Sequence, residues 1–254
     1  MSIKKIIHRL KWTFFTRTGA KETIINTEHG FKFIVRFSSG SAFLLYFGKY
    51  EIEEIDLIKK FVKPGMTVFD IGANVGYISL LMANLIGSNG KLFSFEPNPN
   101  IYSLLNENIE INPILNDGRI ITEQIALSTS DDKMKFFCPI EGHEGLGGLK
   151  DTKRAPLEKV IEVNVKKLDD YVTENNIKNI DFIKMDVEGG ELDVIKGGLK
   201  TIETMKPIIL FEATDLNTTP YNYKVKDLIL FLEEFGYNVK ATDSENFIAI
   251  PEDG

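Results

Sequence analysis

Cysteine is all but missing. Cys138 is the only one in the 254-residue chain, so no disulfide can close within it, which excludes a secreted disulfide scaffold and a multi-cysteine zinc site. Histidine is nearly as scarce: His8 and His29 have no partner at metal-ligand spacing, and His143 stands alone in a glycine-rich stretch. Positive charge is not in excess either. The formal net charge of −7 argues against a dedicated nucleic-acid binder, because gripping a polyanion relies on clustered Lys and Arg that release counterions. Long apolar runs are absent as well. Stretches such as Val75 to Ile86 are interrupted and fall short of the roughly 20 residues that a bilayer span needs. With no signal-peptide pattern, the cytoplasm is the expected compartment.

Acidic residues are missing from the segment Met1 to Lys21. There Lys4, Lys5, Arg9, Lys11, Arg17 and Lys21 accompany Ile3, Ile6, Ile7, Leu10 and Phe14 at helical spacing. Such a basic amphipathic helix either docks on its own domain or makes peripheral contact, through residues 1–21, with the inner face of a membrane or with a polyanionic substrate. Strand-like runs at Thr23–Thr27 and Phe31–Phe37 flank His29-Gly30 as a hairpin, and a helix is expected from about Glu51 to Phe61. Residues 1–65 thus read as a basic helix and cap.

Pro64-Gly65 then breaks the chain, and from Met66 strands and helices alternate as they do in a parallel sheet covered on both faces. Strands are expected at Thr67–Ile71, Lys91–Phe95, Ile120–Ile125, Lys133–Phe137, Val160–Val165, Phe182–Met185 and Ile208–Phe211, with a final hairpin at Tyr237–Ala241 and Phe247–Ile250. Helices are expected at Val75–Ile86, Asn100–Ile109, Leu168–Asn175 and Lys224–Phe235. Residues 66–254 read as one domain with a glycine-rich, mobile insertion at 138–159, and stretches of that length in a compact domain are usually functional.

After the strand Thr67–Ile71 the chain turns sharply through Gly72 and Gly76, which permit backbone conformations and close approaches that a side chain would block. A dinucleotide fold would place G-x-G-x-x-G here. This chain has Asn74 at the middle position and Asp70 just before the first glycine, and an anion there would repel a pyrophosphate. It would instead attract the ammonium end of an amino-acid moiety, or order the glycine turn through backbone N–H groups. Glu96 ends the next strand, where a carboxylate can accept hydrogen bonds from both ribose hydroxyls. The third strand ends near Gln124-Ile125-Ala126-Leu127, on the edge where an adenine would be framed.

These residues resemble the FkbM-type methyltransferases, Rossmann-like enzymes that use S-adenosylmethionine. The likeness rests on Phe69 to Tyr77 (FDIGANVGY), Phe95 to Pro99 (FEPNP) and Ile183 to Glu191 (IKMDVEGGE), in that order, and extends from about Met66 to Ile250. It implies a class I methyltransferase fold: a mostly parallel seven-stranded sheet ending in an antiparallel hairpin, here with the N-terminal helix and hairpin as cap. The implied reaction is methylation of a hydroxyl on a sugar, glycan or other natural product. The cofactor-binding set is then Asp70, Gly72, Asn74, Gly76, Glu96, Asn98, Gln124, Ala126 and Asp186.

Attack by a neutral hydroxyl on a sulfonium methyl requires a positioned base, or a metal that lowers the hydroxyl's pKa. Asp186 is the first candidate because it ends a strand at the ligand-binding edge, with Glu188 close by and His143 on the insertion as a further acceptor of the proton. Asp186 with Glu212 is the candidate pair for a divalent metal. Glu191 is expected to cap a helix or face water, and Lys184 to neutralise nearby acids. Three rivals remain open: a nicotinamide-dependent oxidoreductase, N-methylation, and a catalytically silent nucleoside-binding module. The expected partner is a small-molecule or glycan acceptor, and no feature sets an oligomeric state.

Overall fold

The computed structural model describes residues 10, 12–15 and 17–252. Most of the basic helix expected over residues 1–21 lies outside them. Within the described part, Trp12 packs edge-on against Phe37 and Phe43, with ring centroids 5.2 and 5.5 Å away. No helix among the described residues is long and apolar enough to cross a membrane.

The cap hairpin forms as expected, with β1 (Glu22–Asn26) antiparallel to β2 (Lys32–Arg36). Two helices follow it, Ala42–Tyr46 and Ile52–Phe61. The first was not anticipated, because its short run AFLLY has no amphipathic period to read.

The main sheet is built from β3 (Thr67–Ile71), β4 (Lys91–Phe95), β5 (Ile120–Glu123), β9 (Phe182–Met185), β10 (Ile208–Glu212), β11 (Tyr237–Ala241) and β12 (Asn246–Pro251). Its order is β11-β12-β10-β9-β3-β4-β5. All pairings from β10 across to β5 are parallel, whereas β12 runs antiparallel to both β10 and β11. This is the class I methyltransferase architecture. The chain leaves β3 toward β4 and β5, then returns to build β9 and β10 on the other side. The switch point therefore lies between the carboxyl ends of β3 and β9, where open α/β sheets bind their ligands.

Two runs expected as strands leave this sheet. β7 (Asp132–Pro139) and β8 (Leu157–Lys166) pair antiparallel with each other, and β8 also pairs with the short β6 (Ala126–Leu127). With no crossover helix between them they form a long hairpin instead of joining the parallel sheet.

One face of the sheet packs against the cap and the helices Tyr77–Ile86 and Pro99–Glu110, and the other against helices of the C-terminal half. Strand alternation sets the division. Val68 and Phe182 point to the first core, while Phe69, Ile71, Ile183 and Met185 point to the second. The cap shares the first core. Phe33 of β2 is fully buried and meets Tyr77 of the domain helix edge-on at 5.1 Å. Asn112 and Asn108 extend the joint by accepting the backbone N–H groups of Lys32 and Ile34 at 2.8 Å each. Phe33→Ala should therefore cost about 3–5 kcal/mol and lower a single calorimetric transition of the whole chain; a separate cap transition alone moving would contradict a shared core.

Candidate functional site

The glycine turn begins where β3 ends. Gly72 has φ +85°, and a Cβ there would lie 1.9 Å from the carbonyl oxygen of Asp186, so only glycine lets β3 and β9 converge this closely. The N–H groups of Gly72 and Ala73 donate to Phe95 O at 3.0 and 2.9 Å, which ties the turn to the end of β4. Asn74 stands at φ 48°, in the left-handed region. Asparagine tolerates that conformation better than most residues, which accounts physically for its occupying the middle glycine's place. Its Oδ1 accepts Val75 N–H at 2.7 Å. The successive left-handed residues also delay the helix, which starts at Tyr77 and not at Val75.

Glu96 follows β4 directly and is buried. One carboxylate oxygen accepts Asn74 N–H at 3.1 Å and the other accepts Asn98 N–H at 2.9 Å. Each oxygen keeps a lone pair for a ligand hydroxyl. Burial pushes this carboxyl up to about 7, against the pull of the two backbone donors. Asn98 caps the next helix by accepting Asn100 N–H at 3.1 Å.

A crevice runs from Gly72 and Glu96 between Phe95, Ile125, Ala126 and Phe136, under residues 144–149 of the insertion. Beside it lies a cavity of about 450 Å³ lined by both cap and domain residues, including Arg36, Ser39, Tyr50, Asp186, Glu188 and Glu212. Asn74, Glu144, Gly145 and Asp186 border both spaces. The insertion is thus packed over the site.

Of the expected cofactor residues, Gly72, Asn74, Glu96, Asn98, Ala126 and Asp186 line the crevice. Three do not. Asp70 sits inside β3 with its side chain on the face of the helix Tyr77–Ile86; it is fully buried and accepts Ser79 Oγ–H at 2.5 Å. It neither reaches the crevice nor holds the glycine turn, whose first N–H groups go to Phe95. Gly76 makes room instead for helix packing, since a Cβ there would lie 2.4 Å from Leu105 Cδ1. Gln124 is exposed and borders neither space; its neighbours Ile125 and Leu127 do line the crevice.

Of the proposed catalytic residues, Asp186 borders both spaces, while Glu188 and His143 line the larger one. Glu188 has a left-handed backbone at φ 54° and is buried. Its Oε2 accepts from Arg154 Nη1 at 2.6 Å and from Asn217 Nδ2 at 3.1 Å. Burial and the neighbouring Asp186 raise its carboxyl to about 8 in spite of Arg154. Glu212 lies nearby, raised to about 9 chiefly by the charge of Asp186 and then by burial. Among the described residues no group of three or more His, Cys, Asp or Glu side chains is gathered to hold a metal ion. The cation found beside Asp186 is Lys184, whose Nζ is 3.5 Å from Oδ2.

Glu191 neither faces water nor enters the cavity. It is fully buried, and its Oε1 accepts Val187 and Gly189 N–H, both at 3.2 Å, which shapes the loop that carries Glu188. Arg154, Tyr50 and Arg36 escaped sequence reasoning because they belong to the insertion and the cap, outside every motif. The Arg in the glycine-rich insertion was a signal only in that such loops favour function.

This geometry fits S-adenosylmethionine. Bare backbone at Gly72, an anchored carboxylate at Glu96 with free lone pairs, and an apolar slot at Phe95, Ile125 and Ala126 match an amino-acid backbone, a ribose diol and an adenine.

The sequence model described as the methyltransferase FkbM domain matches residues 70–239. Among curated proteins, the hexuronic acid methyltransferase AglP of Haloferax volcanii is 25% identical over 215 residues, covering 83% of each chain. The 2-O-methyltransferase NoeI of Sinorhizobium fredii is 29% identical over 153 residues, covering 55% of this chain and 60% of NoeI. A crystal structure of methyltransferase FkbM from Methylobacillus flagellatus superposes with TM-score 0.49 at 15% identity, over 83% of this chain and 54% of that one.

Diol binding favours the ionised form of Glu96, so affinity for S-adenosylhomocysteine should rise from pH 6 to pH 8 as this group, at about 7, loses its proton. Titration calorimetry should find weaker and nearly pH-independent binding in Glu96→Gln; unchanged affinity in that variant would remove Glu96 from the site. The ligand-free protein should show the opposite trend. Glu96, Glu191, Glu188 and Glu212 are all raised well above the ordinary glutamate value, to between about 7 and about 9. The stability tied to their protonated forms is complete below that ordinary value and is lost as pH rises through 7 to 9. The Tm should therefore fall between pH 6 and pH 9, and a rising Tm would refute the assignment.

Proposed function

Since the chain belongs to the FkbM methyltransferase family and is an S-adenosylmethionine-dependent methyltransferase, we propose that its acceptor is a hydroxyl group of a sugar or glycan. The observation that carries this reading is the set of polar side chains in the mixed polar and apolar wall of the cavity beside the crevice. Ser38, Ser39, Ser41, Asn108 and Asn246 line it with donors and acceptors suited to a polyhydroxylated ring, and Asp186 stands where it meets the crevice. AglP and NoeI, named for hexuronic acid methylation and 2-O-methylation, support the same acceptor class.

When bound, S-adenosylmethionine would supply an electrophilic methyl group for in-line transfer to the acceptor oxygen, with the thioether as leaving group. The residues of this chain do the rest. Glu96 and the backbone at Gly72 orient the cofactor, and the cavity walls orient the acceptor and exclude water. Asp186 accepts the hydroxyl proton at its carboxylate, with Lys184 Nζ 3.5 Å away as its counter-charge. Glu188 holds the insertion down through Arg154, a positioning task that leaves Asp186 as the better base. His143 is exposed at the cavity wall, placed to meet the acceptor's outer part.

Asp186→Asn should retain S-adenosylhomocysteine binding and lose on the order of 10²- to 10⁴-fold in kcat, read as the 14-dalton mass increase of a panel of sugar acceptors. Undiminished turnover would exclude Asp186 as base, and a wild-type protein that binds cofactor yet methylates no sugar would exclude this acceptor class.

A further inference from the structure

Glu54 lies before the segment matched by the family model, on the cap helix Ile52–Phe61, yet it pairs with Lys184, the neighbour of Asp186. Its side chain is 8% exposed, and Oε1 is 3.8 Å from Lys184 Nζ. Lys184 is equally buried, and the same ammonium is 3.5 Å from Asp186 Oδ2. On the adjacent strand, Lys184 stands in register with Asp70, whose Oδ1 is buried with no hydrogen-bond partner. One ammonium is thus shared between two carboxylates, Glu54 and Asp186, with the charge of Asp70 close enough to act on it, and of the three only Asp186 opens into the cavity.

A desolvated ammonium must be paired, and it moves toward whichever carboxylate is nearest. With Glu54 on one side and Asp186 on the other, Lys184 is held between them. Without Glu54 it would close on Asp186, neutralising that carboxylate and drawing it away from the cavity. We propose that Glu54 is a positioning residue for Asp186, acting through Lys184. The cap then governs the geometry of methyl transfer as well as walling the acceptor cavity. This rests on the reading of Asp186 as the group that accepts the acceptor's proton.

The groups facing Lys184 are Tyr50, Glu51 and Glu54 from the cap, Asp70 from β3, Asp186 just past the end of β9 and Glu212 from β10. Burial works to lower the Lys184 pKa, but the surrounding carboxylates outweigh it and hold the ammonium charged. Removing Glu54 takes a negative charge from this group and removing Lys184 takes the positive one, so the two changes should move the acid limb of the kcat profile in opposite directions.

The test uses the full chain and the variants Glu54→Gln, Lys184→Met and their double. Glu54→Gln should lower kcat on the order of 10-fold by displacing the base, leave the S-adenosylhomocysteine Kd unchanged, and shift the acid limb of the kcat profile to lower pH. Lys184→Met should shift that limb to higher pH. The double variant should lose no more than Lys184→Met alone, because Glu54 acts only through that lysine. Additive losses, or a wild-type kcat and profile in Glu54→Gln, would overturn the proposal. Glu54→Asp covers a folding failure: it keeps the charge but shortens the anchor, so kcat should still fall, and a wild-type value would be equally fatal. If the wild type methylates no sugar, the acceptor reading has failed by itself. The carboxyl ¹³C resonance of Asp186 in the S-adenosylhomocysteine complex at fixed pH then decides: a displaced resonance in Glu54→Gln sustains the positioning link, and an unchanged one refutes it.

Discussion

Two strands meet at Gly72 more closely than any side chain would allow. The 1.9 Å that would separate a Cβ there from the Asp186 carbonyl oxygen obliges β3 and β9 to end side by side, with Asp186 N–H donating to Ile71 O at 3.0 Å across the gap. The crevice opens because of this contact. The turn at Gly72 reaches across to Phe95 O, so the end of β4 is held beside it and Glu96 can accept Asn74 N–H. Glu96 at the crevice and Asp186 at the join of crevice and cavity are therefore placed by one backbone approach.

Such a site gathers carboxylates that repel one another. Asp70, Glu96, Glu188 and Glu191 are buried, and Asp186 and Glu212 border the same cavity. Backbone donors answer part of this charge, at Glu96 from one loop and at Glu191 from the next. Cations answer the rest, Lys184 beneath Asp186 and Arg154 over Glu188. The left-handed backbones of Asn74 and Glu188 add strain of order 1–3 kcal/mol each. Two large apolar cores on either side of the sheet hold these residues in place. Strain and like charge tolerated at a sheet edge are what a binding site looks like when a rigid scaffold supports it.

The cap is part of that scaffold. Phe33 enters the first core, Glu54 meets Lys184, and Arg36 reaches Glu107 at 2.6 Å. The larger cavity takes part of its wall from the hairpin, the loop after it and the insertion, regions where the motifs are silent, and part from domain residues such as Asn108, Asp186 and Asn246.

Much of the framework could be read from the sequence because its signals are local. β3, β4, β9 and β11 occupy the segments expected for them, since apolar runs bounded by turn residues are complete within a few positions. The three motifs likewise carry Gly72, Asn74, Glu96 and Asp186 to the sheet edge, because each lies at or just beyond a strand end. What a side chain faces is a different matter. Asp70 belongs to the strand and not to the turn, so the pleat directs it to Ser79 and away from the crevice; Gln124, in the loop between β5 and β6, is exposed while Ile125 lines the crevice. Glu191 looked like a surface cap until the packing of Tyr223 and the Val187–Gly189 loop enclosed it. The pairings of Glu54 with Lys184 and of Arg154 with Glu188 join elements remote in the chain, and no local period records them. The sequence by itself determined the order of strands, the turns between them and the residues at their ends. Only the tertiary structure decided which carboxylate meets which cation, because charge pairing depends on distances that exist only once separate elements are packed.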